Sequence, residues 1–129
     1  MIEKFVGKES EQTISLRKYI EKLIDDGKLV PEEDKVFIKM DIEGSEVDVM
    51  EDILPLFDMF RHLRMAVCVY HRAEHEETIR KMLPPDYTGR VRNGHMFFVY
   101  EMDLPGGKMP EFPYFRHGVM RIERLSDAK

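Results

Sequence analysis

Cysteine is nearly absent from this chain of 129 residues: Cys68 stands alone, so no intrachain disulfide can form. It lies inside the apolar run Met65–Tyr70, which marks it as a small buried hydrophobe. A cysteine-poor chain suits a reducing compartment, and a cytoplasmic setting is expected on that ground. Long apolar runs are missing as well. No stretch approaches the roughly 20 residues needed to span a bilayer, and Met1-Ile-Glu-Lys-Phe5 lacks the apolar core of a signal peptide. No membrane partner is expected. An excess of positive charge is also lacking: 20 Lys and Arg face 25 Asp and Glu, for a net charge of −5. Phosphate binding needs a concentrated basic surface, so nucleic acid is not expected as a partner. The basic clusters Arg61–Arg64 and Arg90–Arg92 are short and read as solvated faces. No internal repeat or low-complexity tract appears.

What is present suffices for one domain. Hydrophobic residues make up 43% of the chain and charged residues 35%, mixed in sign, which supports a core and argues against disorder. Residues 1–129 read as a single, partial domain, with 1–13 and 104–129 as peripheral segments. Ile2 and Phe5-Val6 suggest a short strand. Leu16, Tyr19, Ile20 and Leu23 follow helical spacing, ended by Asp25-Asp26-Gly27. Val36, Phe37, Ile38, Met40 and Ile42 form a nearly continuous apolar run, the pattern of a parallel strand covered on both faces. Gly44 and Ser45 supply turn and helix-start chemistry. At 100° per residue, Val47, Val49, Met50, Ile53, Leu54, Leu56, Phe57 and Phe60 share one half of the following helix, which Pro55 should kink or restart.

Met65–Tyr70 is the second core strand, and Glu74–Leu83 a helix stopped by Pro84-Pro85. Arg90–Arg92 and Met96–Tyr100 flank Asn93-Gly94, the signal of a β-hairpin with a type I′ turn. Pro105-Gly-Gly107 breaks the chain, and the aromatic, β-branched segments Phe112–Phe115 and Val119–Leu125 do not declare their state. The fold class is therefore α/β: two parallel core strands, an antiparallel C-terminal hairpin, and helices packed on the sheet.

In such sheets ligands sit beyond the carboxyl ends of the strands, where Asp41, Glu43 and Glu46 fall. Two parallel neighbours lie about 4.8 Å apart and end on one rim, which brings these acids toward Tyr70, His71 and Arg72. His71 is the natural base, since an imidazole of ordinary pKa near 6.5 accepts protons at neutral pH. Asp41 is placed to orient it or to hold a hydroxyl. Glu46 shares the helix's apolar half and must find donors or face a cleft, because an unpaired buried carboxylate is costly. The plainer reading makes these acids first-turn residues favoured by the helix dipole, and His71 a strand-end histidine bonded to backbone. A metal alternative joins His71 and His75, at one-turn spacing, to the three acids. It is weak, because His75 is expected on a solvated face among Glu74, Glu76 and Glu77, and no metal is assigned.

The segment Lys39-Met-Asp-Ile-Glu-Gly-Ser-Glu46 resembles the K-[IM]-D-[VI]-E-G-x-E signature of FkbM-type S-adenosylmethionine (SAM)-dependent methyltransferases. Thr13–Ile20 is similar to an upstream segment of that family, with Ser15 where Asp is usual, and Met65–Arg72 to the strand that follows. The resemblance covers roughly residues 10 to 100. The family's glycine-rich cofactor loop, an acid followed by G-x-x-x-G, is not in this sequence. The resemblance therefore implies the C-terminal half of a class I (Rossmann-like) methyltransferase sheet. It implies SAM as cofactor and a small-molecule or sugar hydroxyl as acceptor, with the isolated chain inactive and weak in SAM binding. On it, Asp41, Glu43 and His71 are the catalytic candidates, and Glu46, Tyr70 and Arg72 the substrate contacts. The competing readings are a non-catalytic methyltransferase-like binding or oligomerisation module and, last, a metal-assisted hydrolase. The truncated sheet leaves the Val36–Ile42 strand an open edge, so a homodimer or pairing with a missing N-terminal half is expected.

Overall fold

A computed structural model describes residues 5–6, 13–97 and 112–126. In chain order the elements are β1 (Phe5–Val6), β2 (Thr13–Ile14), α1 (Leu16–Asp25), β3 (Lys35–Met40), α2 (Glu46–Ile53), α3 (Leu56–Met59) and β4 (His62–Cys68). They continue with α4 (His75–Met82), β5 (Tyr87–Val91), β6 (Met96–Phe97), β7 (Phe115–Arg116) and β8 (Val119–Arg124). The protein is a mixed α/β domain around a four-stranded sheet ordered β3-β4-β8-β5.

β3 and β4 are parallel neighbours, with Ile38 opposite Met65, joined through α2 and α3 as the apolar spacing predicts. Pro55 does interrupt the helix: α2 ends at Ile53, and α3 restarts with Pro55 at its N-cap. A proline costs nothing there, because an N-terminal amide has no intrahelical acceptor anyway. α1 is capped by Ser15, whose oxygen accepts from the Lys18 amide at 3.2 Å. The same hydroxyl donates to Asp52 on α2 at 2.8 Å, which ties the start of α1 to α2.

The expected Asn93-Gly94 hairpin does not form. Gly94 takes a positive φ of 122°, but β5 pairs with β8 and β6 with β7, both antiparallel. Turn chemistry makes a hairpin available without excluding better partners for the flanking strands. β8 also corrects the view of residues 104–129 as peripheral: it lies inside the sheet, antiparallel to both β4 and β5, with Met120 and Ile122 buried. The expected strand at Phe5-Val6 is β1, which pairs in parallel with β2 rather than with β3. Ile2, residues 98–100 and the break at Pro105–Gly107 lie outside the described residues.

One further expectation is overturned. β3 is covered on one face only: Val36, Ile38 and Met40 turn inward, while Lys35, Phe37 and Lys39 are exposed, Phe37 at 66%. Ile20, Val49, Met50, Ile53, Leu56, Phe57 and Ile79 pack from the helices against Met40, Leu63, Met65, Val67, Met120 and Ile122 of the sheet. The core thus occupies one side. Among the described residues no helix is long and apolar enough to cross a membrane.

Candidate functional site

The rim is built by a turn that few sequences can make. After β3 the chain passes through Glu43 at φ 53° and Gly44 at φ 97°, two consecutive residues in left-handed backbone, and enters α2. At Gly44 a side chain would be strained, and its Cβ would lie 3.3 Å from Nε of Arg72. Ser45 occupies the N-cap but makes no side-chain cap bond. The turn is closed by backbone instead, with the Ser45 amide donating to Ile42 O at 3.2 Å.

This turn throws Glu46 inward. Its side chain has 0% exposure, and Oε1 accepts from the Ile42 amide at 3.1 Å and lies 2.7 Å from Nδ1 of His71. A carboxylate oxygen only accepts, so His71 donates from Nδ1, and its Nε2 is left on the side of Asp41 and Glu43. Nε2 lies 3.6 Å from Asp41 Oδ1 and 3.7 Å from Glu43 Oε2, close enough for one water or hydroxyl to touch all three. Asp41 also accepts from the Tyr70 hydroxyl at 3.1 Å, and the Tyr70 and His71 rings lie 4.2 Å apart. Burial, aided by the Asp41 bond, pushes the Tyr70 hydroxyl's pKa up, so it stays a donor. Burial and Asp41 likewise push the Cys68 thiol up to about 11, which keeps it unreactive.

The structure thus brings together Asp41, Glu43, Tyr70 and His71 at one rim, with Arg72 over Gly44. It differs from expectation in two places. Glu46, read as a substrate contact, is sealed beneath His71, and it rather than Asp41 orients the imidazole through Nδ1. His75, read as solvated, has a side chain only 2% exposed, because α4 packs its first turn toward α2. Its Nδ1 points at Glu46 Oε2 from 3.4 Å, too poorly aligned for a hydrogen bond, so both atoms are buried without a partner. Burial outweighs the nearby Glu46 and Glu74 charges and lowers the His75 pKa, keeping it neutral.

Asp41, Glu46 and His71 each offer an atom within 4.8 Å of the others, the spacing of a metal site. As the side chains stand, Glu46 lies against Nδ1 and Asp41 against Nε2, the two nitrogens of one ring. The cluster is joined by hydrogen bonds, Glu46 to His71 Nδ1 and Tyr70 to Asp41. Arg116 was not foreseen. From β7 it donates to the carbonyls of Tyr70 at 2.8 Å and Pro113 at 3.0 Å, tying the rim to the C-terminal segment. No signal in the sequence joins positions so far apart. Comparison with family models, with curated proteins and with solved structures finds no match for this chain.

Proposed function

We propose that this chain is the C-terminal half of an FkbM-type SAM-dependent methyltransferase acting on a hydroxyl of a sugar or small metabolite. The observation that carries the reading is the Lys39–Glu46 signature. Its acids leave β3 at the carboxyl end of the sheet, and its last member holds His71 on the neighbouring strand's end. A single antiparallel strand, β8, set into the sheet after the parallel pair agrees with the way a class I methyltransferase sheet ends.

On this reading the chain contributes the acceptor side of the reaction. His71 takes the hydroxyl proton at Nε2: the O–H bond breaks, an N–H bond forms, and Glu46 at Nδ1 stabilises the imidazolium. Asp41 and Tyr70 hold the acceptor, with Arg72 and Glu43 at its margin. Glu46 is a positioning residue. The residues present do not by themselves fit the cofactor. The glycine-rich loop that would cradle the methionine carboxylate is not in this sequence, and in the turn at residues 41–45 the Ile42 and Ser45 amides are already bonded, to Glu46 and to Ile42 O.

The reading frame immediately upstream of Met1 tests the proposal. A strand followed by an acid and G-x-x-x-G supports it, and in the joined protein His71→Gln should lower methyl transfer about a hundredfold or more with cofactor affinity unchanged. An upstream frame without that loop, or full transfer by His71→Gln, would remove it. The open β3 face favours a second reading, a methyltransferase-like module kept for binding, in which the same rim is inert.

A further inference from the structure

The open side of the sheet has an organised surface. Strand register places Lys35, Phe37 and Lys39 of β3 on it, beside Arg64 and Ala66 of β4, Val119, Arg121 and Glu123 of β8, and Arg90 of β5. Five cations and one acid thus share one face of a chain whose net charge is −5. The rows are ordered. Phe37 is opposite Arg64, Ala66 opposite Arg121, and Arg121 in turn opposite Arg90. No described residue forms an ion pair with Lys35, Lys39, Arg64 or Arg121. A groove of about 660 Å³ on this face is lined by Phe37, Ala66 and Val119 together with Arg64, Arg121 and Glu123. Phe37 and Val119 are exposed large hydrophobics there, at 66% and 42%.

We infer that this face docks a helical layer of polypeptide whose contact surface pairs an apolar stripe with acidic residues. A strand pair such as β3 and β4 is ordinarily covered on both sides, and here the second cover is not supplied by the described residues. The charges say what the cover must carry. A second copy does not meet the requirement: two such faces in contact would oppose cation to cation. A two-fold pairing of β3 edges centred on Phe37 would likewise set Lys35 against Lys39 of the other copy. A nucleic-acid strand would satisfy the cations but leave the apolar floor of Ala66 and Val119 uncovered. The inference does not depend on methyl transfer, since the same partner chemistry follows for an enzyme half and for a binding module.

The test uses the full chain and two synthetic helices of about 18 residues with a leucine stripe, flanked by glutamates in one and lysines in the other, read by fluorescence anisotropy. The glutamate helix should bind saturably, weaken about fivefold or more between 50 and 300 mM KCl, and outcompete the lysine helix. Arg64→Glu with Arg121→Glu should reverse that preference with the fold kept, as read by circular dichroism, because both side chains are exposed even though the first change sets an acid opposite Glu123. Four results would overturn the inference: no binding of the glutamate helix, equal binding of both helices, tighter binding of a uridine oligonucleotide, or a light-scattering dimer that strengthens with salt.

Discussion

Glu46→Gln is the substitution that interrogates the site most directly, because it keeps the shape of the side chain and removes only its charge. Oε1 accepts from His71 Nδ1 at 2.7 Å and from the Ile42 amide at 3.1 Å, inside the fold. A hydrogen bond to a charged group contributes about 1.5–3 kcal/mol net, against about 0.5–1.5 for a neutral one, so two such bonds should weaken by about 2 kcal/mol together. For a chain of this size that is a fall of roughly 6–10 °C in melting temperature. Glu46→Leu should cost more, by about 2 kcal/mol or above, because it leaves two buried donors with no acceptor. Thermal and urea unfolding at neutral pH measure both. Imidazole ¹⁵N shifts of His71 supply a second readout: the Nδ1–H form should dominate in the wild type and lose its preference in Glu46→Leu. A leucine variant at least as stable as the glutamine variant would refute the reasoning. It would mean that the buried carboxylate costs more to desolvate than its bonds return.

Three further outcomes are expected. Calorimetry on the isolated chain should find no saturable SAM binding in the micromolar range, about −8 kcal/mol, and such binding would imply a cofactor site built without the glycine-rich loop. His75 has a folded pKa lowered from 6.5 by burial, so the unfolded chain binds the extra proton first as pH falls. Its contribution to stability is complete above about pH 6.5 and is lost below it; the drop in melting temperature between about pH 7.5 and 5.5 should shrink in His75→Gln, and an unchanged drop would contradict the neutral, buried assignment. Gly44→Ala, placed at φ 97° with its Cβ against Arg72, should cost about 1–2 kcal/mol by urea unfolding, and a neutral result would show that the turn relaxes.

The elements that local pattern specifies were legible in the sequence. The apolar run Val36–Ile42, the glycine at residue 44 and the helical spacing from Val47 onward each encode their own conformation, and β3, the turn and α2 follow. Pro55 carries its consequence in its ring, and the restart at α3 follows too. Strand order is another matter. The choice of β8 by β5, over the nearer β6, depends on Met120 and Ile122 completing a core with Leu63, Met65 and Val67, residues more than 50 positions away. The Asn93-Gly94 signal describes a turn and cannot weigh that burial. Phe37 illustrates the same limit in reverse. Its neighbours Val36 and Ile38 are apolar because helices cover them, whereas its own apolarity faces outward, and the letters are the same in both cases.

The site divides along the same line. That Asp41 and His71 meet follows from two parallel strands ending together, an argument from topology that needs no side-chain detail. Which acid holds the imidazole does not follow, because it turns on the left-handed pair Glu43 and Gly44, which rotates the next residues so that Glu46 enters the fold and Asp41 stays at the rim. His75 escaped notice for a similar reason: three glutamates surround it in sequence, yet the first turn of α4 presses its one imidazole against α2. The outcome is a buried carboxylate with a histidine on each side, one reaching the rim and one sealed behind it. An array of this kind costs stability if its only task is structural, since apolar residues would fill the same volume at lower cost. That cost is the physical reason to look for chemistry at His71. Replacing Glu46, His71 and His75 together by apolar residues measures it, whereas the Glu46 pair of substitutions measures what the carboxylate's own bonds return.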